Sequence, residues 1–136
     1  MKRIVSGLVV LLSVGMLMGM GSLGGQPEGT VPKTSVNMAA KVTDRSGVTT
    51  RLTEFSVGGK VFLQGRRGDG MVTVDFSKMH SIDFGEVAGD DVAATVHLKT
   101  GESLELQVGK RQVFYGSTGY GAFQITAGHL KQIVFE

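Results

Sequence analysis

The residues of this chain that could do chemistry are few and scattered. The densest group is Gly65-Arg66-Arg67-Gly68-Asp69-Gly70. Glycines let backbone N–H groups approach an anion, and two arginines would clamp one. Phosphate loops of the nucleotide-binding kinds join a strand to a helix. Here the residues on both sides alternate as strands do, so a hairpin turn with solvated charges is the simpler expectation. Arg67-Gly68-Asp69 also spells a cell-adhesion tripeptide, a match too short to carry a function. Tyr115 and Tyr120 sit just before and within a second glycine loop, residues 116–121. With Arg66, Arg67 and Asp69, these tyrosines are the candidate contact residues for a ligand or a partner.

The remaining titratable residues form no recognised set. His80 and His129 fall near equivalent turns and would approach each other if two halves of the chain packed symmetrically, with Asp75 or Asp83 as further ligands. No His-x-His or His-Glu-x-x-His spacing supports a metal site, so exposed turn histidines are expected. His97 stands alone. Asp83, Glu86, Asp90 and Asp91 lack the calcium-loop pattern and read as a solvated linker. Nothing marks a carboxylate pair for glycoside hydrolysis, and there is no tryptophan to line a sugar cleft. The chain has no cysteine. That closes thiol redox chemistry, thiolate metal sites, covalent c-type haem and lipoprotein acylation. No metal or cofactor is expected, and a non-enzymatic role follows as the leading expectation.

The amino-terminal residues have the three parts of a secretory leader. Lys2 and Arg3 are the positive region, residues 4–20 carry no charge, and small residues follow at Gly19, Gly21, Ser22 and Gly24. The apolar run is at the short edge of what spans a bilayer. Residues 1–25 are therefore expected to be a secretory signal peptide, or else an N-terminal anchor. The whole chain carries 14 basic and 12 acidic residues. Lys2 and Arg3 would leave with the leader, so the mature part is charge-balanced. That balance gives no long-range reason to bind nucleic acid or anionic lipid. Membrane contact is expected only through an uncleaved leader. Residues 26–37 hold both prolines and read as a flexible Pro/Gly linker.

The elements that must position any site are strands. Leu104, Leu106 and Val108 alternate with Ser103, Glu105 and Gln107, and Val72, Val74 and Phe76 alternate with Thr73 and Asp75. Glycine-bearing turns recur throughout, as hairpins demand. A shift of 51 residues lays Gly58 on Gly109, Gly65 on Gly116, Gly68 on Gly119, Gly70 on Gly121, Ile82 on Ile133 and Phe84 on Phe135. Apolar positions keep phase over the same stretch: Leu63 meets Phe114, Val72 meets Phe123, Val74 meets Ile125. Upstream, Ser46-Gly47 meets Thr100-Gly101 after a gap of three residues. The expectation is an all-β domain over 38–136, a small antiparallel sandwich or barrel built from two tandem β-repeats, 38–84 and 92–136. In the second repeat the strands are expected at 92–99, 102–108, 112–116, 121–126 and 130–135, with single helical turns at 77–80 and 128–131. Period-two patterns leave open whether the halves pack face to face or share one barrel.

Gly116-Ser117-Thr118-Gly119-Tyr120-Gly121, then Phe123-Gln124-Ile125, then Leu130-Lys131-Gln132-Ile133-Val134-Phe135, resembles a repeat in small exported bacterial β-rich proteins of unassigned function. That repeat reads G-x-T-x-F/Y-G-x-F/L-x-I, a short gap, then I-x-x-I-x-F. The first half departs from it at Arg66-Arg67-Gly68-Asp69. The resemblance implies a fold type and a periplasmic or secreted location, and transfers no catalytic residue. The expected function is a cell-envelope binding or assembly module, whose sheet edges pair with a protein partner or with itself. The alternative is a small-ligand binder or hydrolase using loops 65–70 and 116–121.

Overall fold

Ten strands are hydrogen-bonded into one antiparallel sheet: β1 Ala40–Asp44, β2 Thr49–Ser56, β3 Phe62–Arg67, β4 Gly70–Asp75, β5 Met79–Ala88, β6 Asp91–Leu98, β7 Ser103–Gly109, β8 Val113–Ser117, β9 Ala122–Thr126 and β10 Leu130–Phe135. They are seen in a computed structural model that describes residues 29–136, of which 31–136 form a single unit. The predicted leader lies outside the described residues, as does the first part of the predicted linker. The expectation of an all-β antiparallel domain holds, and the strands predicted for the second half lie within about two residues of those observed.

The order across the sheet is β4-β3-β7-β6-β5-β10-β1-β2-β8-β9. This order and two short connections force the sheet to curl. From β7 to β8 it runs through six inter-strand steps, which in a flat sheet is about 29 Å. The chain covers the same interval from Gly109 to Val113, a reach of about 14 Å at most. The β2–β3 connection, from Ser56 to Phe62, is short by the same reasoning. The result is a half-barrel around a filled core.

Replacing each strand of one half by its equivalent in the other reverses the sheet order onto itself. The two halves are thus related by a pseudo-two-fold axis through the central pair Ile82–Ile133, which face each other across β5 and β10. Flanking pairs obey the same relation: Gln132 faces Asp83, and Ser81 faces Val134. Of the two arrangements left open by the sequence, the shared barrel is the one approached, as one curled half-barrel sheet. The halves share one sheet, and each sends a hairpin to the other: β3–β4 docks on β7, and β8–β9 docks on β2. The docking needs glycine. A Cβ on Gly65 would stand 2.8 Å from Leu106 Cβ, and one on Gly116 would stand 2.8 Å from Leu52 Cβ.

The core follows the same symmetry. Ala40 and Ala94, Val42 and Val96, Leu52 and Leu106, Met79 and Leu130, Ile82 and Ile133, and Phe84 and Phe135 are all buried equivalents. Size is exchanged where the symmetry breaks. Phe76 is matched by Ala127, and Leu63 by Phe114. Phe55 stacks on Phe114 at 5.8 Å and meets Phe76 at 5.4 Å, within the irregular part of β2. Burial of these rings supplies the largest apolar areas in the domain.

Two expectations are corrected. The acidic stretch is no linker: β5 runs on to Ala88, and Gly89-Asp90 turn directly into β6, with a register irregularity between Phe84 and Val87. Solvent-facing polar residues there hide the strand from an alternation test. The single 3-10 turns sit at Phe76–Lys78 and Ala127–His129, one residue earlier than expected. Near the start of the domain Pro32 is buried, and Asn37 Oδ1 accepts a 2.7 Å bond from the N–H of Glu54, which sits at φ 52° in a β2 irregularity.

Candidate functional site

The feature most open to a partner is backbone. β4 pairs only with β3 and β9 only with β8, so among the described residues both strands have one unpaired edge. Hairpin geometry decides which groups point outward. Arg67 and Gly70 flank the two-residue turn Gly68-Asp69, and the pairs Gly65–Val72 and Leu63–Val74 follow at intervals of two. In such a ladder the flanking pair is hydrogen-bonded and bonded pairs alternate. Val72 and Val74 thus spend their N–H and C=O on β3, while those of Met71, Thr73 and Asp75 face outward. On β9 the bond from Thr118 N–H to Gly121 C=O brackets Gly119-Tyr120. The same counting turns the backbone of Ala122, Gln124 and Thr126 outward.

Neither edge carries the usual protection. Native edges are blunted by lysine, proline or a bulge. β4 reads Gly-Met-Val-Thr-Val-Asp and β9 reads Ala-Phe-Gln-Ile-Thr; neither has proline, lysine or an interior charge. On the core side, Val72, Val74, Phe123 and Ile125 are only partly buried, each packed on the core from one flank. Met71 remains 59% exposed.

The side chains singled out in the sequence do not converge. Arg66, Arg67 and Asp69 belong to the β3–β4 hairpin, and Tyr115 and Tyr120 to the β8–β9 hairpin at the other end of the strand order. Arg66 is ion-paired with Asp91, while Arg67 and Asp69 are exposed. Tyr115 is half-buried in β8 opposite Ser56 and Gln124. Tyr120 projects from its turn, 92% exposed. His80 and His129 are also kept apart. The antiparallel central pair puts their turns at opposite ends of β5 and β10, and His129 Nδ1 instead lies 2.8 Å from Thr126 Oγ1. No group of three or more metal-capable side chains forms among the described residues.

One constellation was missed in the sequence. His97 Nδ1 lies 2.8 Å from Ser103 Oγ and Nε2 lies 2.9 Å from Asp83 Oδ2, while the Gln132 amide donates to Asp83 Oδ1 at 2.9 Å. Serine, histidine and aspartate in line suggest nucleophilic catalysis. The pseudo-symmetry argues for a structural role instead. The equivalent of the His97–Ser103 rung is Thr43–Thr49, which makes its own 2.9 Å hydroxyl bond. Both are cross-strand pairs on the outer face, of the kind that stabilises a sheet. His97 and Ser103 fall within strands expected from the sequence, whereas Asp83 reads there as linker; only the register aligns the three.

The shifted titrations lie away from both edges. Hydrogen bonds from the Ser46 hydroxyl and the Val48 N–H hold Asp44 below the usual carboxylate range, fixing the β1–β2 turn. The Arg51 guanidinium grips Glu136 at 2.8 Å, lowering that carboxyl and raising the arginine. A family model described as an uncharacterised protein matches residues 34–136. The chain belongs to that family. The family's matched span takes in all ten strands, both open edges and the Asn37 bond to the β2 irregularity. No curated protein and no solved structure matches the chain.

Proposed function

We propose that this chain is an exported, non-enzymatic β-rich module of the bacterial cell envelope that works by binding or assembly, adding a strand to an open edge of its sheet. The observation that carries the reading is the pair of unprotected edges, each with three residues whose backbone groups face outward. Strand addition draws its affinity from such main-chain bonds and its selectivity from alternate side chains. Export is supported by the leader pattern in the sequence, Lys2-Arg3 followed by the uncharged run and small residues.

Two measurements test this. Cell fractionation with N-terminal sequencing should find the mature protein in the envelope or medium, starting near residues 22–25. In-cell crosslinking from residue 73 or 124 should trap a defined strand of a partner or of the chain itself. A cytoplasmic protein, or edges that trap nothing, would count decisively against the proposal.

A further inference from the structure

We infer that the strand added at each edge is the opposite edge of a second copy of this chain, so that β9 of one molecule pairs antiparallel with β4 of the next. This rests on the assembly reading above and names its partner. The internal two-fold makes the edges equivalent but oppositely directed. Placing a second molecule beside the first, in the same orientation, therefore sets β9 against β4 antiparallel, as everywhere else in the sheet.

One register uses every outward group. Met71 faces Thr126 of the second copy, Thr73 faces Gln124, and Asp75 faces Ala122. All six residues turn their backbone outward, so each pairing is a hydrogen-bonded pair. The residues between them then meet on the core side: Val72 beside Ile125 and Val74 beside Phe123. These are the four side chains, two on each edge, that the single molecule leaves half-covered. The seam would complete the core of both molecules at once.

The ends of the seam are matched as well. At one end of the seam the turn carrying Tyr120 of one copy comes next to the 3-10 turn Phe76–Lys78 of the other, which holds Ser77. Ser77 lines a crevice of about 350 Å³ with Val74, Lys78 and Leu98, mostly apolar in its walls. A tyrosine that is 92% exposed in the single chain gains a place to bury its ring and keep its hydroxyl wet. At the other end the turn carrying Asp69 comes next to the 3-10 turn Ala127–His129, where Gly128, His129 and Lys110 line a separate crevice with Arg111. An exposed carboxylate there meets a basic rim, and complementary charge fixes register. The contact is head-to-tail, so it propagates or closes into a ring according to the curl.

Proline tests this without touching a bond the single chain makes. Proline is tolerated on an edge strand where the N–H faces solvent. T73P blocks β4 alone and Q124P blocks β9 alone. With the full-length protein, light scattering should show oligomers for wild type and monomers for each variant, with melting temperatures close to wild type. Mixing T73P with Q124P should restore one seam and give dimers only. T73C mixed with Q124C should form a disulfide-linked pair on mild oxidation, since the chain has no other cysteine. Y120A should weaken assembly at least tenfold, as loss of a buried aromatic anchor does. Oligomers that persist in either proline variant would overturn the inference. A monomeric wild type whose edge holds another protein, lost on T73P or Q124P, would overturn it and leave the assembly reading standing. A monomer with no edge-dependent complex would end both.

Discussion

Gly65→Ala and Gly116→Ala should destabilise the domain to a similar degree, because both place a methyl where a hairpin from one half crosses the other. At Gly65 the new Cβ would meet Leu106 Cβ at 2.8 Å and Gln107 O at 3.2 Å. At Gly116 it would meet Leu52 at Cβ 2.8 Å, Cδ1 2.9 Å and Cγ 3.2 Å. Neither contact is with the far end of a flexible side chain alone, so the strands themselves must separate. Overpacking of this kind costs about 1–3 kcal/mol. In a domain of this size each kcal/mol shifts the melting temperature by roughly 4–8 °C, so falls of about 5–20 °C are expected. Urea unfolding followed by circular dichroism measures both variants beside Gly109→Ala, where a Cβ meets nothing within 4 Å and little change is expected. Trimming the neighbour should not rescue: Leu106→Ala retains the Cβ that clashes. If Gly65→Ala and Gly116→Ala unfold with the wild type, or differ from each other as widely as either differs from Gly109→Ala, the symmetric crossing is refuted.

Other outcomes follow from single contacts. Glu54→Gly should stabilise the domain by a few tenths to about 1 kcal/mol, since glycine takes φ 52° without the cost an L side chain meets; thermal unfolding reads it. Asn37→Ala should lose about 0.5–1.5 kcal/mol with its bond to the Glu54 N–H, measured the same way. Phe76→Ala should cost about 3–5 kcal/mol, because the ring is fully buried between Phe55 and Phe135. Asp44 and Glu136 bind protons more weakly folded than unfolded, so their contribution is present above the ordinary values of 3.8 and 4.5 and is lost as pH falls through the lower folded values. Melting temperature against pH should therefore drop in acid, less steeply in Arg51→Ala, which removes the cause of the Glu136 shift.

The strands were legible because side chains alternate. Val72-Thr73-Val74 and Leu104-Glu105-Leu106 bury every second residue, which is a local property of sequence. The duplication was legible for a related reason, since Gly65 and Gly116 answer the same steric demand and Ile82 and Ile133 share an axis. What local pattern does not carry is which strand lies beside which. The crossing of β3 to β7 depends on two short connections and the curl they impose. Register alone brings His97 to Ser103 and Asp83. The β5–β6 hairpin reads as a linker in the sequence because Asp83, Glu86, Asp90 and Asp91 form a polar stretch without a clear apolar alternation. The loops 65–70 and 116–121 read as equivalent turns, and so they are, but at opposite edges.

The position of β10 has a consequence for when the molecule can form. It is the last of the ten strands in chain order and lies at the middle of the sheet, between β5 and β1. Chains emerge from the ribosome amino end first. Until residues 130–135 are free, β1 and β2 have no surface joining them to β5, and the two hairpins dock on separate fragments. Pairings this distant in sequence are slow, because loop entropy is lost before contacts compensate. The sheet therefore closes only when β10 arrives, and its two parts stay unjoined until then.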